Sequence, residues 1–408
     1  MNTRRVAVTG IGVVCALGND ANEFERNLFA GRTAIAPIES VDVSSLRFKN
    51  AAEVKGFEPS DLFEKQELAI LKRFSQFAVA ASREAIRDSG IEWGDDASRE
   101  RTAIVTATGA GGLTDLDDQY ENLYRYNKQR TPPMLVPQSM ANAAASFISM
   151  DTGACGPTYT VSTACSSSNH AIGLAFHSIR NGTVDAAITG GSETPISYTN
   201  LKAWEALRVV SNDTCRPFSR DRSGMVLGEG GAILVLEEME KAKARGAKIY
   251  AEIAGFGMTA DAHHITMPSV EGPVRAIRNA LNDAGTDPSA VGYVNAHGTA
   301  TAANDAMESK AIREVFGDHA DNVAVSSTKS MHGHTLGAAG AIEAVATVLA
   351  IHRGLLPPSA NFNEPDPECN VDVIANEARE KKVDAAVSNS FAFGGLNAVL
   401  VFKPLGLV

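Results

Sequence analysis

TYTVSTACSSSNHAIGLAFHSIRNGTVDAAITGG occupies residues 158–191. An apolar, β-branched run ends at Thr163, a stretch of small residues with helical spacing fills 166–181, and a second apolar run begins at Asp185. The order strand, helix, strand is that of a βαβ unit. The same order returns later. Val323-Ala324-Val325-Ser326-Ser327-Thr328 leads through a longer loop into a small-residue helix ending at His352-Arg353-Gly354, and Asp384-Ala385-Ala386-Val387-Ser388 follows. The echo predicts a duplicated α/β body with halves over 1–250 and 251–408.

Other segments fit that frame. RRVAVTGI, RTAIVTAT, GAILVLEEM and GYVNAHG are compact apolar runs bounded by glycine or polar turns, and 68–89 and 271–284 carry helical spacing. Strands alternating with helices predict parallel pairing, with helices on both faces.

Composition removes several function classes. The 408 residues are 44% hydrophobic and 21% charged, a globular balance. Lys and Arg number 37 against 48 Asp and Glu, leaving −11, which disfavours nucleic acid or an anionic membrane as a partner. Five cysteines, none in a CxxC pair, make no disulfide framework, and no apolar run approaches the ~20 residues of a membrane span. A reduced cytoplasmic protein is expected.

Gly10-Ile11-Gly12 follows the first apolar run, but Cys15 stands where a dinucleotide fingerprint needs its third glycine, so a tight turn is the better expectation. His263-His264 and His332-Gly333-His334 lack companion ligands at zinc spacing, so no metal is expected.

Cys165 lies where the strand before TACSSS gives way to the small-residue helix. A helix N-terminus lowers a thiol's pKa, and small neighbours admit a substrate. Buried cysteines are also common core residues, and these residues alone leave both roles open. His297 in NAHGTAT and His334 in STKSMHGHTLGAAG follow strands, where α/β sites collect, and the second loop also carries Lys329. A cysteine with two such histidines describes a thiol acyltransferase in which two imidazoles hold enolate charge, chemistry that forms carbon–carbon bonds.

From VAVTGIGVVCALGND through TACSSS, RPFSRDRSGMVLGEGGAILVLE, NAHGTAT and STKSMHGHTLGAAG to NSFAFGGLN, the chain resembles the decarboxylating, two-histidine β-ketoacyl-(acyl carrier protein) synthases of type II. The resemblance implies a thiolase fold, with duplicated βαβ halves in a five-layer α-β-α-β-α sandwich, usually dimeric. It implies Cys165 as acyl-accepting nucleophile, His297 and His334 as the pair assisting malonyl decarboxylation, Lys329 ordering them, and Glu343 supporting the cluster. Asp305 would be a structural or electrostatic carboxylate. Thr299 and Thr301 would hold the phosphopantetheine arm. Phe393 would gate the site and complete an oxyanion hole with Cys165, with Phe391 in the same loop. Within Gly109-Ala110-Gly111-Gly112, Ala110 would line the acyl tunnel.

The implied partners are an acyl carrier protein and a second ketosynthase-like chain, identical or of chain-length-factor type. No dissociable cofactor is implied. A biosynthetic thiolase would carry a second cysteine in the late glycine-rich loop, a type III synthase would replace the second histidine by asparagine, and a chain-length factor or other non-catalytic partner would lack the nucleophile. Ala110, His332 and Ala392 depart from the common pattern, which leaves fatty acid, polyketide and polyene pathways open.

Overall fold

The structure is a computed structural model and describes residues 4–406. In chain order its principal elements are β1 (Val6–Cys15), α1 (Arg73–Ser89), β2 (Thr102–Ala107), β3 (Thr158–Val161), α2 (Ser167–Arg180), β4 (Ala186–Glu193), α3 (Tyr198–Leu207), β5 (Gly230–Glu238), β6 (Ala251–Ala260), α4 (Glu271–Asp283), β7 (Val291–Asn295), α5 (Ala302–Phe316), β8 (Ala324–Ser326), α6 (Ala339–Arg353), β9 (Asp372–Val373), β10 (Ala385–Ala392) and β11 (Leu396–Lys403).

The strands hydrogen-bond in the order 9-8-7-10-11-6-1-5-4-2-3. From β1 to β5 the spatial order is third, second, fourth, fifth, first. From β6 to β11, leaving out the two-residue edge strand β9, it is the same. The two sets join through a short antiparallel ladder, Val6–Val8 against Ala251–Ile253. The echo in sequence is thus an echo in topology.

Pairing is mixed, which corrects the expectation of a parallel sheet. β2 pairs parallel with β3 and β4, and β7 with β8 and β10, whereas the fourth, fifth and first strands of each half run antiparallel. One cause is local: β10 and β11 are joined by only three residues, Phe393, Gly394 and Gly395, and so tight a hairpin cannot be parallel. β6 and β11 were not among the strands expected from sequence.

The helices form three further layers. α1 lies against β1 and β5, α4 lies against β6 and β11, and α2 and α6 pack on each other between the two halves of the sheet. This is the five-layer arrangement. Leu336–Arg353 is, among the described residues, the one helical stretch long and apolar enough to cross a membrane, and 83% of it is buried here as the central layer. Burial on all sides explains its composition.

Two local departures from the sequence pattern have physical causes. The helical spacing over 68–89 breaks at Leu71 and Lys72, both extended, which turns Leu71 into the cluster around Phe74 and Phe77. Gly10 and Gly12 form no turn. They lie inside β1, and a Cβ would stand 2.1 Å from the Ala85 carbonyl at Gly10 and 2.0 Å from that of Ala81 at Gly12. Their function is to let α1 rest directly on the strand.

Gly12→Ala should therefore destabilise the chain by about 1–3 kcal/mol, the usual cost of overpacking a filled interior. Denaturant midpoints of the variant and its parent measure it, and an unshifted midpoint would show that α1 can slide away.

Candidate active site

Three loops converge on a cavity of about 130 Å³, open to solvent and lined by Cys165, His297, His334, Thr299, Thr301 and Phe393, among others. Cys165 comes from the β3–α2 connection, His297 follows β7, and His334 follows β8. Each of the three loops holds one non-glycine residue in the left-handed region: Ala164 (φ 51°), Ala300 (φ 63°) and Leu336 (φ 47°). That conformation costs an L residue roughly 1–2 kcal/mol, and the surrounding hydrogen bonds hold it. Beside Cys165, the Ser167 hydroxyl donates to the Ala164 carbonyl (2.6 Å) and accepts from the Thr163 N–H (2.8 Å).

The thiol is 8% exposed and packs with Ile196, Leu201, Met225 and Leu336. Burial pushes it up to about 12, opposed by the Lys329 ammonium and reinforced by Glu193. This reverses the expected lowering. Helical geometry begins only at Ser167, two residues beyond Cys165, so the apolar surroundings outweigh the helix end.

Lys329 is fully buried. Its ammonium pairs with the Glu343 carboxylate from α6, donates to the His297 carbonyl (2.6 Å) and lies 3.4 Å from His297 Nδ1. Burial raises Glu343 to about 7 against the pull of Lys329. An Nδ1 facing an ammonium keeps its lone pair, so the His297 proton sits on Nε2. His334 reaches the same tautomer by another route, because its Nδ1 accepts the Leu336 N–H (3.3 Å). The two rings meet edge to face with centroids 5.4 Å apart. Burial and Lys329 hold both well below the usual imidazole range. The site presents two neutral imidazoles with N–H donors free for a ligand.

The remaining expected residues divide. Thr299 and Thr301 bond hydroxyl to hydroxyl (2.9 Å) on the cavity wall, and Thr301 also caps α5. Phe391 packs edge-on to His297. Asp305 is fully buried outside the cavity lining and accepts from the N–H groups of Phe218 (2.8 Å) and Ala300 (3.2 Å), tying the RPFSRDRSG segment to the first histidine loop. Ala110 is not brought in: it is exposed, outside the Cys165 cavity. Its loop turns its N–H groups inward, where Gly109 and Ala110 donate to Glu193 (2.5 and 3.1 Å).

Glu193 and Glu308 were missed from sequence. Glu193 closes β4 and also accepts from Thr108 (3.0 Å) and from Gly337 N–H (3.1 Å), just beyond the second histidine loop. Glu308 accepts the consecutive N–H groups of His297 and Gly298, both at 2.8 Å, and the Asn389 amide (3.0 Å). The available signal was an acid ending an otherwise uncharged strand, and Asp305 and Glu308 three apart on one helix face.

A buried thiol and two neutral imidazole donors in a duplicated thiolase fold make a condensing acyltransferase. The chain belongs to the β-ketoacyl synthase family: the model described as "Beta-ketoacyl synthase, N-terminal domain" matches residues 3–242 and its C-terminal counterpart matches 250–363. The chain is 48% identical to nodulation protein E of Rhizobium sp. strain N33, over 98% of this chain and 99% of the relative. It is 44% identical to 3-oxoacyl-[acyl-carrier-protein] synthase 2 of Synechocystis sp., over 99% of each. Among solved structures, "The ishigamide ketosynthase/chain length factor" superposes with a TM-score of 0.95 at 38% identity, over 99% of this chain and 100% of that one.

His332, fully buried with Nε2 on the Thr328 hydroxyl (2.9 Å), is held down at about 3 by burial and Lys329. Its folded-state pKa lies below its unfolded value, so below ~6.5 the unfolded chain binds the proton and stability falls with pH. Between pH 7 and pH 5.5 this one group removes about 1 kcal/mol. His332→Thr should flatten the pH dependence of unfolding free energy by that amount, and an unchanged slope would mean His332 is protonated in the fold.

Proposed function

We propose that Cys165 is the acyl-accepting nucleophile and that His297 and His334 run a decarboxylative Claisen condensation on malonyl-acyl carrier protein. The observation that carries this is the shared cavity of one thiol and two imidazoles whose outward nitrogens are both donors.

Acylation forms the Sγ–carbonyl bond as the carrier's C–S bond breaks. The thiol proton passes to the departing pantetheine thiol, because a thiol held near 12 gives up its proton during attack rather than before it. Malonyl carrier protein then loses carbon dioxide, and the electrons of that C–C bond become an enolate held by the two Nε2–H donors. The enolate carbon attacks the acyl-cysteine carbonyl, Sγ departs and takes up one proton, and a β-ketoacyl carrier protein two carbons longer leaves. The backbone N–H groups of Cys165 and Phe393 serve as the oxyanion hole, Lys329 and Glu343 order the histidines, and Thr299 and Thr301 hold the pantetheine arm. No dissociable cofactor or metal takes part. The halves divide at 250/251, with the nucleophile in the first and both histidines in the second, and the enzyme works in the cytoplasm.

A second chain is part of this reading. Tyr120, Tyr124, Met134 and Val136 are exposed apolar side chains, a surface suited to another ketosynthase-like protomer. The likeness to a ketosynthase/chain length factor pair favours, as a specific alternative to a homodimer, a heterodimer in polyketide or polyene synthesis.

Intact-mass measurement after incubation with an acyl carrier protein thioester should show one acyl adduct per chain, absent from Cys165→Ala. An adduct that survives the substitution would place the nucleophile elsewhere.

For an acidic carrier protein, Lys65, Lys72 and Arg208 are the docking cations, while Lys202 is engaged by Glu205 (2.8 Å). Arg73, of the same basic set, is spent internally on Glu229 (2.9 and 2.6 Å). Combined Lys65→Glu and Arg208→Glu reversal should raise KM for the carrier protein most at low salt, where screening over ~10 Å is weakest. A KM independent of both charge and salt would discard the patch.

A further inference from the structure

We propose that Trp204 is a positioning residue: its indole, stacked on Phe393, holds the tip of the β10–β11 hairpin in place at the Cys165 cavity until acylation breaks the stack. The proposal rests on acylation of Cys165 as described above. Trp204 and Phe393 both line the cavity, with ring centroids 6.0 Å apart and planes inclined by 25°.

The two partners differ in how firmly they are held. Trp204 stands on α3, whose Leu201, one turn earlier, is fully buried in the same apolar cluster as Cys165. That helix is fixed to the chain around it: Tyr198 bonds the Ser45 hydroxyl (3.0 Å), Asn200 donates to the Pro195 carbonyl (2.5 Å), and Glu205 accepts the Arg47 N–H (2.5 Å). Phe393 stands on a three-residue tip followed by Gly394 (φ 82°) and Gly395 (φ 69°). Gly395 is anchored, since a Cβ there would meet Asp261 at 2.5 Å, whereas the nearest atom to a Cβ at Gly394 is 3.9 Å away. The tip is thus held at Gly394 by its N–H on the Ile265 carbonyl (2.7 Å) and at Phe393 by the Trp204 stack, and the open space beside Gly394 lets Phe393 swing once that stack breaks.

The opposite strand end is also braced. Phe391 lies against His297 (centroids 6.1 Å), with Ala392 between the two phenylalanines. A displacement of Phe393 off Trp204 thus reaches the ring that borders the decarboxylating histidine. The stack ties occupancy of the thiol to the geometry of the second half-reaction.

A stacked aromatic pair biases such an equilibrium by roughly 2- to 12-fold. Trp204→Ala should lower the ratio of condensation to unproductive malonyl decarboxylation by a factor in that range, with Trp204→Phe restoring it. Trp93 and Trp204 are the two tryptophans of the chain, so Trp93→Phe leaves Trp204 as sole fluorophore. Trp93 donates to the Thr102 hydroxyl, outside the cavity lining. In that protein, hexanoylation from hexanoyl-acyl carrier protein should change Trp204 emission and raise its quenching by acrylamide. Adding Phe393→Ala should give the acylated signal before any acyl donor is present.

The same samples are weighed by intact mass. An adduct with unchanged Trp204 emission and quenching overturns the gate role while leaving the condensing reaction standing. Equal loss of condensation and decarboxylation in Trp204→Ala makes the residue mere packing and overturns it too. No adduct at all removes the acylation chemistry and the gate with it.

Discussion

The starts of the two central helices touch through atoms that leave no room for side chains. The Ser168 hydroxyl donates to the Gly337 carbonyl (2.5 Å), and a Cβ on Gly340 would stand 2.5 Å from Asn169 Oδ1. A Cβ on Gly337 would be tighter still, 2.2 Å from the Gly109 backbone nitrogen. This approach brings the Cys165 loop of one half against the His334 loop of the other. Each βαβ unit alone would expose the face of its helix that the other half covers, so burial of α2 and α6 and assembly of the site are one event. The small residues of both helices are the condition for it, which is why TACSSSNHAIG and GHTLGAAGAIEA are poor in bulk near their starts.

Around that contact, buried carboxylates set the positions of backbone groups. Glu193 gathers N–H donors from the 109–110 loop and from Gly337, and Glu308 gathers those of His297 and Gly298. Asp305 does the same for Phe218 and Ala300. Burial raises the pKa of all three, and the converging N–H groups oppose that rise. Strain at Ala164, Ala300 and Leu336 persists because hydrogen bonds over-determine these loops. The RPFSRDRSGMVLGEGG segment is the complementary brace: Val226 accepts the His334 N–H (2.7 Å), and Gly228 donates to the His334 carbonyl (3.0 Å).

What was legible in the sequence was what depends on local order and residue type. Strand, small-residue helix and strand appear twice in the letters and twice in the topology, and the cysteine and both histidines stand at strand exits where chemistry collects. What was not legible depends on what lies across the fold. Gly10 and Gly12 read as a turn because nothing local announces that α1 will lie on them. The thiol read as activated because a helix follows, but its pKa is decided by Ile196, Leu201, Met225 and Leu336, which come from distant segments. Ala110 faces out because an acid more than eighty residues later claims its N–H. Trp204 carried no motif at all, and its partner is nearly two hundred residues away.

The distribution of charge then explains how so dry a site can work. Next to the reacting groups lie the Lys329–Glu343 pair and the buried carboxyls Glu193 and Glu308, each engaged by backbone N–H groups, while the thiol and the three buried histidines of this region are neutral at rest. An acyl thioester and its product are neutral at the reacting carbonyl and gain little from this arrangement. In the proposed reaction the enolate is different: its negative charge appears only after carbon dioxide leaves, beside two N–H donors and near an ammonium whose carboxylate partner lies on α6. Interactions that strengthen only as charge develops lower the barrier without tightening the ground state. Burial, which keeps the thiol protonated at rest, is the same property that makes those donors effective, and the fold secures it by closing the two halves of the sheet over the pair of helices that carry the site.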